Sequence, residues 1–161
     1  MLLPAYLLAG LLVLLVMIPS RFASAASRNS LFSWLSVVHA GAYVVITSAM
    51  LAAGTAISNQ YFIVDSLSTY EVLVASIVFV LSSLYAQGYV KGLLKMGEID
   101  SGELKLFYVA LNALFVVVVY AFFSNNMALF WILLEVTTLL SSTLIVTLNA
   151  KENIMAALKY V

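Results

Sequence analysis

The chain repeats one pattern: apolar runs of about 20 residues, each bounded by a short polar stretch. Runs of that length span a hydrocarbon layer about 30 Å thick. A bilayer core offers no water to backbone amides, so a spanning segment must close its own hydrogen bonds, and an apolar run of this length does so as a helix. Composition agrees, with 65% of the 161 residues hydrophobic and 9% charged, far from the usage of water-soluble domains. The fold expected is an all-α integral membrane segment of five transmembrane helices plus the start of a sixth, forming one unit over residues 1–161.

The spans are expected at Leu2–Pro19, Leu31–Ala53, Leu67–Val90, Leu104–Phe123 and Asn126–Leu148, with a sixth starting at Glu152. A signal peptide is the rival reading of the first, because Ala23-Ser24-Ala25 resembles a cleavage site. Signal peptides carry positive charge ahead of their apolar stretch, whereas Arg21 and Arg28 follow it, so a retained helix is expected. Arg21 and Arg28 lie between spans one and two, Lys91, Lys95 and Lys105 between three and four, and Lys151 after five. Every alternate connection is positive, which puts those connections in the cytoplasm and the N-terminus outside. Residues 91–105, with mixed charge and two glycines, are expected as a solvated cytoplasmic loop.

Composition also excludes functions. Lys and Arg number seven, as do Asp and Glu, so a net charge of zero gives no reason to expect a nucleic-acid partner. Cysteine is absent and histidine occurs once, which leaves no thiolates for an iron–sulfur cluster or zinc and too few ligands for a metal site. No connection is long enough for a soluble catalytic domain.

Glu135 stands out inside the fifth span. A charged side chain at mid-bilayer is costly and usually handles a proton, an ion or a partner charge. Burial raises a carboxyl pKa and a nearby cation lowers it, so approach and withdrawal of a cation can drive proton release and uptake. Lys159 is a candidate for that cation; its bland alternative is snorkelling to the surface. Glu135, Thr138 and Ser142 share a helix face, as do Ser76, Ser83 and Gln87 in span three. Such hydroxyls and amides commonly do no more than bond a neighbouring helix. Glu71 is read as interfacial. His39 in span two titrates near neutrality when unperturbed, and Asn112 is the one amide in span four, a turn after Tyr108. Both are candidates for a wet path, and both serve equally well as helix–helix contacts.

The stretch Ser124-Asn-Asn-Met-Ala-Leu-Phe-Trp-Ile-Leu-Leu-Glu-Val-Thr-Thr-Leu-Leu-Ser-Ser-Thr-Leu-Ile-Val146, followed by Lys151-Glu-Asn-Ile-Met-Ala-Ala-Leu-Lys-Tyr160, resembles the antiporter-like membrane subunits. These belong to respiratory complex I, multisubunit sodium/proton antiporters and energy-converting group 4 hydrogenases. Tyr61-Phe-Ile-Val-Asp-Ser-Leu-Ser68 fits as well, and the nearest likeness is to the large formate hydrogenlyase-type subunit. The resemblance covers about residues 60 to 161. It implies that Glu135 is the family's fifth-helix glutamate and Lys159 a lysine early in the sixth helix. It further implies a prokaryotic cytoplasmic membrane, neighbouring membrane subunits, and peripheral redox subunits whose iron–sulfur clusters and flavin or nickel–iron centre carry the electrons. On that likeness the chain performs no redox catalysis itself and forms the N-terminal part of a proton-translocating subunit. Family subunits are much longer, with two inverted repeats whose interface holds the transport site. Against that pattern the 161 residues include neither the seventh-helix lysine nor the second repeat. The rivals are a structural membrane subunit without an ion pathway, a stand-alone secondary antiporter, and a membrane enzyme, the last lacking any nucleophile–base pair.

Overall fold

In the computed structural model, residues 25–147 are described, and they form four long helices with one small hairpin. The helices are α1 (Ala25–Ala52), α2 (Ser66–Met96), α3 (Ser101–Phe122) and α4 (Met127–Val146). Strands β1 (Ile57–Ser58) and β2 (Ile63–Val64) lie between α1 and α2. All four helices are long and apolar enough to cross a membrane. They coincide with the second to fifth expected spans. The first expected span, the start of the sixth and Lys159 lie outside the described residues.

Helix boundaries differ from expectation mostly at one end of the bundle. α1 as described already runs through Arg28, which therefore lies in the helix and not in a connection. α2 runs on through Lys91 and Lys95 to Met96, and α3 already includes Lys105. The expected loop at 91–105 thus shrinks to Gly97–Asp100. Local chemistry explains why. Gly97 ends α2 in the left-handed region, φ 74°, with its N–H bonded to the Leu93 carbonyl; a residue without Cβ adopts that conformation without strain. Three residues on, Asp100 accepts the N–H groups of Gly102 and Glu103 at 2.6 and 2.8 Å, and the Glu103 carboxylate accepts the Asp100 N–H at 2.6 Å. This reciprocal capping starts α3 at once. Charge in a sequence marks where water is, and a helix can extend past the membrane into it.

At the opposite end Asp65 and Ser68 form a second capping box, and Asn126 accepts the N–H groups of Ala128 and Leu129 to start α4. The hairpin pairs Ile57 with Val64 and Ser58 with Ile63. Ile63 N–H donates to the Phe123 carbonyl and Asn125 N–H to the Tyr61 carbonyl, so the connections after α1 and α3 are tied together at this end.

α1 packs along α2, α3 lies against both, and α4 packs on α3 alone among the described elements. Two apolar clusters fill the α1–α2–α3 interior. Ala40, Tyr43, Val72, Phe115, Val119 and Phe123 form the one toward the hairpin, and Phe32, Ala86, Val90, Leu104, Tyr108 and Leu111 the one toward Gly97. Lipid tails compete for apolar surface as well as another helix does, so such clusters hold by close packing and by the polar bonds between them.

Candidate functional site

Between the two clusters, α1 turns an unexpectedly polar face inward. Asn29, Ser33, Ser36 and His39 are all buried there. They recur at intervals of three and four, which places them on one face of a helix. α3 answers with Tyr108 and Asn112, also buried. The Asn112 amide nitrogen donates to the Tyr108 carbonyl at 2.8 Å and to Ser36 Oγ at 2.7 Å. A carbonyl oxygen can only accept, so this end of the side chain is the NH₂ and the other is the oxygen. That oxygen lies 3.0 Å from His39 Nδ1. His39 Nδ1 therefore carries a hydrogen and donates it to Asn112. The other ring nitrogen, Nε2, is buried with no hydrogen-bond partner among the described residues, and in the neutral ring it holds a bare lone pair. Tyr43 and Phe115 stand edge-to-face to the imidazole, each with its centroid 5.3 Å away.

The column continues toward Gly97. Tyr108 OH donates to Asn29 Oδ1 at 2.7 Å, Asn29 Nδ2 donates to the Gln87 carbonyl at 3.0 Å, and Ser33 Oγ donates to the Ser83 carbonyl at 3.0 Å. The structure thus joins His39 to Asn112, two residues singled out separately in the sequence. Asn29 and Ser36 were missed, although their helical spacing from His39 was there to read; the arginine beside Asn29 had marked that stretch as a connection.

Glu135 is elsewhere. No residue of α4 is buried, and Glu135 is exposed, on a helix that among the described elements contacts α3 alone. Thr138 is half-buried and bonds back to the Leu134 carbonyl of its own helix, as Ser141 does to Thr137. Of the span-three stripe, Ser76 likewise bonds within its helix, to the Val72 carbonyl. Many hydroxyls in the spans thus close local bonds, and among the described residues Asn29, Ser33, Ser36, His39, Gln87, Tyr108 and Asn112 take part in the polar contacts between helices. Among the described residues no group of three or more His, Cys, Asp or Glu side chains could hold a metal ion.

These features define a membrane-spanning helical segment with a polar seam inside and an acidic residue on its outer helix. In sequence the chain is 25% identical, over 148 residues, to a protein of Methylacidiphilum infernorum (isolate V4) described as hydrogenase-4 component F homolog. The match takes in 92% of this chain and 29% of that protein's length, so the chain spans under a third of the curated relative. No protein-family model matches, and no solved structure does. The chain is a distant relative of a protein named for a hydrogenase component.

Proposed function

We propose that the chain forms the N-terminal part of an ion-translocating, antiporter-like membrane subunit in a redox-driven complex of the hydrogenase type, with protons as the ion. The observation that carries this reading is Glu135 on the unpacked face of α4. In lipid, a charged residue at the centre of a helix costs about 3 kcal/mol even on the most lenient scale. A helix that is at most half-buried among the described residues yet carries an exposed glutamate is suited to a face covered by further protein. The distant hydrogenase-component relative, more than three times as long as the match, supports further helices as that cover. Glu135 takes and gives up the proton there, and Lys159 is the expected cation tuning it. Electron transfer belongs to other subunits, and the positive ends of the helices lie in the cytoplasm.

His39 and Asn112 divide under this proposal. Both amide hydrogens of Asn112 and its oxygen are engaged, and an amide so placed orients its neighbours without passing a proton. His39 keeps a free lone pair, so it remains the proton-accepting candidate of the two. The test is ion pumping by the intact complex in membrane vesicles, wild type against Glu135→Gln at matched abundance. Lost pumping supports a titrating role; unchanged pumping and electron flow make the chain a structural subunit.

A further inference from the structure

At the Gly97 end, a cavity of about 670 Å³ lies between the Ala25–Ser30 stretch of α1 and the last turns of α2, within the size range of small-ligand sites. Asn29, Ser30, Gln87, Gly88, Lys91 and Lys95 are among the residues lining it. Its floor is polar, since Gln87 Nε2 lies 3.4 Å from Ser30 Oγ and the Gln87 carbonyl accepts from Asn29. The lysines stand one turn apart on the exposed wall.

Charge and depth both specify the occupant. Of the nearby acids, Asp100 and Glu103 cap α3 and Glu98 is exposed beyond the end of α2; none of the three lines the cavity. Arg28 of α1 adds a third cation at the same end. α2 has 31 residues, hence a length of about 46 Å, which exceeds the hydrocarbon layer by roughly 15 Å. Glu71 near the hairpin end takes up part of that excess, and the rest falls on the last turns of α2. Lys91 and Lys95, within about two turns of Gly97, therefore stand at headgroup depth. Open cationic pockets between helices at that depth suit anionic headgroups.

We propose that this cavity binds the phosphate-bearing headgroup of an anionic glycerophospholipid, with Lys91 and Lys95 on the phosphate and Asn29, Ser30 and Gln87 beneath it. The site is independent of the ion-translocation reading, because it uses neither Glu135 nor His39.

The test is native mass spectrometry of the full chain in its complex, released from nanodiscs of equal parts phosphatidylglycerol and phosphatidylcholine. The expected result is selective retention of phosphatidylglycerol by the wild type. Each lysine near a membrane surface is worth about fivefold in affinity, so Lys91→Gln with Lys95→Gln is expected to reduce retention roughly 30-fold, while the paired Lys→Arg changes preserve it. Gly88 lines the cavity, and a Cβ there meets nothing within 4 Å. Gly88→Leu is therefore expected to fill the space and expel the lipid with both lysines intact. Equal retention of the two lipids by the wild type overturns the proposal without recourse to any variant. So does retention unaffected by either the glutamine pair or Gly88→Leu. Displacement of the lipid by millimolar inorganic phosphate reassigns the site to free phosphate and also overturns it.

Discussion

At the scale of single residues, Asn112 is the side chain on which the interior depends. It is 2% exposed and holds Ser36, His39 and its own helix at once. Asn112→Leu keeps the volume and strands His39 Nδ1–H between two apolar clusters. A buried donor left without a partner costs about 1–3 kcal/mol, and a loss in that range is the expected outcome of denaturant unfolding in detergent. Asp100 offers a different residue-scale prediction. The N–H groups of Glu103 and then Gly102 hold its carboxyl below the usual Asp range. A carboxylate with a lowered folded pKa stabilises fully above its unfolded value and loses that contribution as pH falls through the folded one. Loosening of the cap is therefore expected only below about pH 4, read as titration of the Gly102 and Glu103 amide shifts. Asp100→Asn caps as well without ionising, so its shifts are expected to stay flat.

At the scale of elements, the helix starts are written locally. Asp65, Asp100 and Asn126 each precede a helix and each accepts its first free N–H groups. Helix N-termini leave four such donors unsatisfied. Among the described elements α4 packs on α3 alone, which leaves its cap a larger share in fixing its start. Asn126→Ala is expected to cost about 1 kcal/mol and Asn126→Asp little, measured by thermal unfolding of the purified protein. Where the apolar pattern misjudged an element, at Lys91–Lys105, the reason is that solvent exposure and helix termination are separate events. α2 ends at Gly97 because Gly97 can take a positive φ, not because lysines begin.

At the scale of the whole molecule, the described helices make an inner trio with a fourth set beside it. The polar seam is internal to the trio, and Glu135 faces away from packing. The two features are thus expected to fail separately. Glu135→Gln is expected to abolish pumping while leaving the unfolding midpoint within about 0.5 kcal/mol of wild type, as for substitutions outside packed regions. Asn112→Leu is expected to do the reverse in kind, lowering stability before it alters transport. Vesicle pumping paired with unfolding measurements on the same variants checks both.

That four of the described segments are apolar runs long enough to cross a membrane, and that Glu135, His39 and Asn112 are polar residues set inside such runs, could be read from the sequence alone. Length against bilayer thickness, and the cost of a polar group in hydrocarbon, act on each segment by itself and need no partner to be read. Pairing is a different matter. That His39 meets Asn112, 73 residues away, follows from how α1 and α3 lie against each other, and periodicity carries no record of the neighbour a face will find. The same holds for the lysine-rimmed cavity, lined by residues of both α1 and α2. Only tertiary structure decides which inward face completes another's hydrogen bonds, because those bonds form across helices and their geometry exists only once the helices are packed.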